Sequence, residues 1–415
     1  MTPNITPTPP PPAEKGEAAT AALAGLKVAF YFTGHGLGHA TRAAAVVRAL
    51  ADRGAAVVVV SAVPGARFLG VLPPPARGDD GGGDGRIRTR FAALDCGARQ
   101  ADALTVDGPG SLAWYWETAG APPRREELLA REEAWLRAEA VDCVLNDVAP
   151  LACVAARRAG VPHVACVSNF SWDFIYRPFL AGAEEADRAQ YAAMVEQITA
   201  DYGCCDRLLR LPGHSPMPGF AAGRVVDVPL VVRPRAAGRA ATRARLGVPA
   251  GHRLLVLMFG GWQVHQQGPR GPGLPADWTC VVCGAGAAEL PAGFVGVDFS
   301  EYTPDLIAAS DAVLGKIGYG MTSEVLASNV PLIYIRRPLF EEEAKLAELL
   351  QAHGAGLEMR KEDFFDGKWA PYLERASGMR PQYGGRTDGA DFIARHVEGW
   401  VGPAQAKARA KARAA

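Results

Sequence analysis

Short apolar runs of strand length recur along this chain, and most lead into a longer stretch with helical spacing. That alternation restricts the chain to α/β layers built on mainly parallel sheets. Residues 27–33 form a β-rich run ending at Gly34, and residues 40–53 follow as a helix with Ala44, Val47 and Leu50 among its apolar positions. Residues 55–62 are a continuous apolar run, the pattern of a strand buried on both faces. Residues 87–93 alternate like a strand, and 124–140 read as a helix carrying Leu128, Leu129, Trp135 and Leu136. Strand, helix and strand follow at 141–145, 152–159 and 161–167, with Asn146 and Asp147 at a strand end. A second series begins after the Pro-flanked stretch 227–234, read as a hinge. It has strands at 253–259, 279–283, 312–314 and 331–335 and a helix at 322–328. The expectation is two Rossmann-like lobes, 25–226 and 227–400, facing across a cleft, with the last helix able to cross back. In such sheets ligands sit beyond the carboxyl ends of the strands.

The 44 basic residues are balanced by 44 acidic ones, which removes bulk attraction to nucleic acid or an anionic membrane as a default function. No apolar run reaches the ~18 residues of a membrane helix, so no transmembrane segment is expected. Residues 1–24 include four consecutive prolines at 9–12 and read as a disordered leader; Lys407, Arg409, Lys411 and Arg413 make 401–415 a solvated basic tail. Residues 77–85 read as a flexible surface insertion. The eight cysteines lie mostly in apolar runs, as small hydrophobes. Cys280 and Cys283 form a lone C-x-x-C without a second pair, so no metal is assigned, and a reducing cytoplasm is the simplest compartment.

Two loops carry the chemistry. The first, Thr33-Gly34-His35-Gly36-Leu37-Gly38-His39-Ala40-Thr41-Arg42, is neither a dinucleotide fingerprint nor a Walker A loop. Its glycines let backbone N–H groups around Gly36 and Gly38 approach a ligand. A neutral imidazole at a helix start can take a proton from a hydroxyl. His39 is the first candidate and His35 the second; a backbone-bonded or metal-holding pair is the alternative. The second loop, 314–324, reads as a strand end, a glycine turn and a helix start capped by Thr322 or Ser323. Its amides around Gly318 and Gly320, aided by Lys316, suit a diphosphate. Glu324 would accept from a ribose diol or merely complement the helix dipole. Gly260-Gly261 is a third strand-end turn that could offer amides. Glu342 and Glu343 would take sugar hydroxyls or form a solvated face. Asn169, Trp172 and Tyr176, with Asp173 among them, would be either core or a sugar-stacking wall.

Several of these motifs together resemble the N-terminal region of the plant L-arabinokinase family. The resemblance is carried by 34–42, by Leu94-Asp95-Cys96-Gly97, by 100–107, by 168–176, by Lys316-Ile317-Gly318-Tyr319-Gly320, and by Arg336-Arg337 followed by Phe340 and Glu342-Glu343. That region is itself similar to MurG-like glycosyltransferases of the GT-B architecture. The resemblance implies two Rossmann-like lobes and a nucleotide-sugar donor, UDP-linked by that analogy, held by the second lobe. It implies no metal or other cofactor, His39 at the end of the glycine loop, Glu324 on the ribose, and Glu342 and Glu343 near the donor sugar. The expected activity is sugar transfer to the hydroxyl of a small-molecule or carbohydrate acceptor, with Asp147 or Asp173 orienting the histidine. A non-catalytic nucleotide-sugar-binding module is the alternative. A sugar-1-kinase ranks last, because no Gly-Leu-Ser-Ser-Ser-like ATP loop occurs.

Overall fold

The computed structural model describes residues 22–34, 38–74, 85–102, 104–259, 273–285 and 289–402. Most of the leader, His35, Gly36, Gly260, Gly261 and residues 403–415 of the tail therefore lie outside the described residues, as does nearly all of the 77–85 insertion.

Two parallel sheets form the frame. The first takes β1 (Lys27–Phe32), β2 (Ala56–Ser61) and β3 (Ile87–Phe91). A small antiparallel hairpin, β4 (Gln100–Asp102) and β5 (Thr105–Val106), stands apart from it. The chain returns to the sheet with β6 (Cys143–Asp147), β7 (His163–Ser168), β8 (Arg207–Arg210) and β9 (Val225–Asp227). The order is β3-β2-β1-β6-β7-β8-β9. The second sheet takes β10 (Arg253–Met258), β11 (Trp278–Cys283), β12 (Phe294–Val297), β13 (Ala312–Lys316), β14 (Leu332–Ile335) and β15 (Gly356–Glu358), in the order β12-β11-β10-β13-β14-β15. Both orders reverse direction beside their first strand, the doubly wound Rossmann arrangement. The reversal points fall between β1 and β6 and between β10 and β13, and a ligand belongs at the carboxyl ends of these strands.

Burial explains the apolar runs. Val28, Val57, Val144, Val164, Leu254, Val256, Val281 and Val313 are all 0% exposed, as expected of parallel strands covered on both faces by helices. The second sheet depends on Gly315: a Cβ there would come within 2.0 Å of the Met258 carbonyl on β10. The last helix, Gly389–Val401, packs against the first helix, Gly38–Asp52, of the opposite lobe. Arg53 at the end of the first helix ties them by bonding Asp391 at 2.8 Å and Glu398 at 2.7 Å. No helix among the described residues is long and apolar enough to cross a membrane.

Candidate active site

The first helix begins at Gly38 and a second-lobe helix spans Tyr319–Ser328. Their starts meet at the cleft. A Cβ on Gly320 would lie 2.6 Å from Thr41 Oγ1, so only glycine permits this approach. Around this contact lies a cavity of about 410 Å³ bordered by both lobes. His39, Arg42, Arg99, Gln100 and Trp114 line it from the first lobe, and Lys316 to Met321, Arg337 and Glu342 from the second.

His39 Nδ1 lies 3.0 Å from Asp147 Oδ2, at the end of β6. Register explains the meeting: Phe32 pairs with Asp147, so the β1 loop and the β6 end rise together. The next residue, Val148, has φ of +58°, rare for a β-branched residue. The turn is pinned on both sides, because Tyr202 Oη donates to the Val148 carbonyl at 2.8 Å and Ala149 N to Asn146 Oδ1 at 2.8 Å. Arg42, one turn after His39, donates from Nε to Asp147 Oδ2 at 2.6 Å and from Nη2 to Asp147 Oδ1. Arg42 Nη2 also lies 2.9 Å from His39 Nδ1. Both cannot claim that nitrogen; the carboxylate is the stronger partner, so Nδ1 carries a proton toward it. Burial raises the Asp147 pKa, but Arg42 and His39 outweigh it and hold the group below the usual carboxylate value.

The network crosses the cleft. Arg42 Nη1 donates to Asn169 Oδ1 at 2.5 Å, and Asn169 Nδ2 donates to Glu342 Oε1 at 2.9 Å. Arg42 also lies 5.2 Å from the Tyr319 ring. Beneath the first loop, Asp95 accepts from Thr33 Oγ1 at 2.7 Å; burial raises its pKa to about 7, against the hydrogen bonds it receives.

In the second lobe the Tyr319–Ser328 helix starts earlier than the sequence suggested. Gly318 is its N-cap, in extended conformation and without a side-chain cap. Thr322 and Ser323 thus lie inside the helix rather than capping it; Ser323 Oγ donates to the Gly320 carbonyl at 2.9 Å. Packing of Tyr319, buried at the first helical position, extends the helix to residue 319, and the uncapped amides of the first turn are left open to a ligand. Lys316 borders the same space. Burial, reinforced by the nearby Arg337 charge, lowers its pKa to about 7.

Other expected site residues are placed differently. Trp172 and Tyr176 are fully buried, stack with centroids 5.2 Å apart, and offer no face to the cleft. Trp114, at 39% exposure, is the aromatic the cavity presents instead. Asn169 is also fully buried, spent on Arg42 and Glu342. Asp173 accepts from Thr199 at 2.7 Å and does not orient His39. Glu343 is fully buried and grips Arg337, from Nε at 2.6 Å and from the backbone at 2.7 Å, so Arg337 rather than Glu343 borders the cavity. Glu324 does line a second space between the lobes, of about 110 Å³, which shares Gly38, Gly320 and Met321 with the larger one. Its Oε1 is held by Arg233 Nε at 2.8 Å and its Oε2 lies 3.4 Å from Thr303 Oγ1. Arg42 and Arg337 were missed as site residues. For Arg42 the signal was its spacing of three from His39 on one helix, which puts both on a face. Among the described residues, no group of three or more His, Cys, Asp or Glu side chains is arranged to hold a metal ion.

Against known proteins, no family model matches the sequence. The chain is 44% identical to an L-arabinokinase of Arabidopsis thaliana over 389 residues, 92% of its own length. It spans about a third of that relative, 35%. Solved structures share the architecture at low identity. A glycosyltransferase of kitacinnamycin aligns at 16% identity with a TM-score of 0.58, covering 92% of this chain and 95% of its own. MurG of Acinetobacter baumannii aligns at 15% with a TM-score of 0.52, covering 90% and 99%. A UDP-glucosyltransferase of Polygonum tinctorium aligns at 14% with a TM-score of 0.55, covering 93% and 98%. The chain has the two-lobed GT-B fold.

Proposed function

We propose that this chain transfers a sugar from a nucleotide-diphosphate sugar, UDP-linked by analogy with the glucosyltransferase neighbour, to an acceptor hydroxyl. One observation carries the reading: His39, backed by Asp147, and the open helix start after Lys316 border one cavity from opposite lobes. A displacement needs a proton acceptor on one side of the anomeric carbon and an anion receiver at the leaving group.

In this reading the acceptor lies on the first-lobe wall, beside Trp114. His39 Nε2 takes the hydroxyl proton while the oxygen forms its bond to the anomeric carbon. The bond to the diphosphate breaks, and its electron pair leaves on the phosphate oxygen. Amides near Gly318 and Gly320, with Lys316, receive that charge. Asp147 keeps the histidine in the tautomer with a free Nε2, as carboxylates do in hydrolase triads. Glu342 contacts the donor sugar. Glu324, which still has lone pairs beyond Arg233 and Thr303, accepts from the ribose. No metal or cofactor is assigned a step. The unpaired cysteines suit a cytoplasmic setting.

Titration calorimetry with UDP and UDP-sugars, beside an assay for released UDP, tests this. The expected result is binding with turnover, and His39→Ala should lose turnover while keeping UDP affinity. Binding without UDP release from any donor and acceptor pair refutes transfer and leaves a binding module.

A further inference from the structure

Arg337 is a buried cation that the protein uses only in part. It is 5% exposed, follows β14 and lines the main cavity. Glu343 holds its Nε edge at 2.6 Å, and the Phe340 ring lies 4.3 Å from the guanidinium carbon. Phe340 packs in turn against Phe170, with centroids 6.3 Å apart. One edge and one face are thereby fixed, while Nη1 is buried with no hydrogen-bond partner. A buried guanidinium donor left unmet is costly, so a ligand that supplies an acceptor gains from it.

The wall around Arg337 has the same bias. Each nearby carboxylate already accepts from the protein: Asp147 from Arg42, Glu342 from Asn169, and Glu343 from Arg337. Lys316 borders the same space, where burial and the adjacent Arg337 charge outweigh Glu343 and Glu342 and lower its pKa to about 7. The open donors are thus Lys316 and Arg337 Nη1, beside the amides of the helix start. If the diphosphate takes the amides of the Tyr319–Ser328 helix start and Lys316, Arg337 remains, on the loop leading to Glu342, the residue read as a sugar contact.

We propose that the transferred sugar bears a carboxylate and that Arg337 receives it, so the donor is a nucleotide-linked uronic acid. This rests on the transferase reading above. A carboxylate is the planar two-oxygen acceptor that a guanidinium edge matches. Glu342 then orients a neighbouring hydroxyl.

The test is calorimetry on the full chain with UDP, UDP-glucose, UDP-galactose, UDP-glucuronate and UDP-galacturonate. At least one uronate should bind tenfold or more tightly than its neutral counterpart. Arg337→Met should erase that preference, with UDP, which lacks the sugar, as the control ligand. The wild-type comparison decides even where the variant fails to fold. UDP binding with no preference for either uronate overturns the proposal alone. So does an Arg337→Met variant that weakens UDP as much as the uronate, since Arg337 would then serve the diphosphate. Failure of UDP and of every UDP-sugar to bind takes down the transferase reading, and this proposal with it.

Discussion

Asp147→Asn strikes the buried network at its carboxylate. The native carboxylate is 1% exposed and is bonded by His39 Nδ1 at 3.0 Å and by Arg42 Nε at 2.6 Å, with Arg42 Nη2 on its other oxygen. Asparagine keeps one acceptor and turns an NH₂ group toward donors. Arg42, itself 5% exposed, loses its counter-charge and retains Asn169 Oδ1 at 2.5 Å and Ser168 Oγ at 3.5 Å. Removing one member of a buried ion pair costs ~3–5 kcal/mol, and the first lobe should lose about that at pH 7. Arg42→Met should cost a similar amount by stranding Asp147. The double variant removes both charges, so its loss should fall short of the sum by about 2–3 kcal/mol. Urea unfolding followed by tryptophan fluorescence measures all three against the native chain. The pH dependence has a definite sign. Burial raises the Asp147 pKa, but Arg42 and His39 bring it below its unfolded value. Its stabilisation is therefore complete above about pH 4, the unfolded value, and is lost as pH falls through the depressed native one. The Asp147→Asn deficit should shrink in that acid window. Additive losses within ~0.5 kcal/mol, or a single-variant cost below ~1 kcal/mol, refute the reasoning.

Gly320→Ala places a Cβ 2.6 Å from Thr41 Oγ1 and should destabilise the chain by ~1–3 kcal/mol; thermal unfolding should recover part of this in the Thr41→Ala background. With its pKa near 7, Lys316 is mostly neutral at pH 8.5, so UDP binding there should take up close to one proton, and far less at pH 6. Calorimetry in buffers of different ionisation enthalpy reads this, and no uptake at pH 8.5 removes Lys316 from the anion site. Because that pKa lies below the unfolded lysine value, charging opposes folding most below about pH 7; Lys316→Met should raise Tm more at pH 6 than at pH 9.5. Glu324→Gln should weaken UDP about tenfold, the ~1.4 kcal/mol of one charged hydrogen bond, without changing the affinity for inorganic pyrophosphate. Equal loss for both ligands places Glu324 outside the ribose site.

The frame was legible because its signal is local. A run such as 55–62 names a doubly covered strand by composition alone, and the strand of 253–259 before a glycine turn does the same in the second lobe. Less visible were β8, β9, β12 and β15, which are three or four residues long, and of which Val225–Asp227 and Gly356–Glu358 are partly polar. Such segments become strands because a neighbouring strand edge pairs with them, and no window of sequence contains that neighbour. The start of the Tyr319–Ser328 helix was misread for a related reason. Thr322 and Ser323 have good capping side chains, but packing of Tyr319 at 3% exposure favours the longer helix that starts one turn earlier.

The site divides along the same line. The loops themselves could be found, since the glycines and the histidines lie next to one another in the chain. What each side chain binds could not, because the partners are far apart: Arg42 and Asp147 are 105 residues apart, Arg42 and Asn169 are 127, and Asn169 and Glu342 are 173. The consequences run in both directions. Asn169, polar and next to aromatics, looked like a sugar contact but is consumed as a bridge between lobes. Arg337, one of two adjacent arginines given no role by the sequence, is buried against Phe340 and Glu343. A polar residue becomes available to a ligand only when the fold leaves one of its donors or acceptors unmet. That remainder, set by long-range pairing, separates Arg337, whose Nη1 is unmet, from Glu343, whose two oxygens are both taken by Arg337.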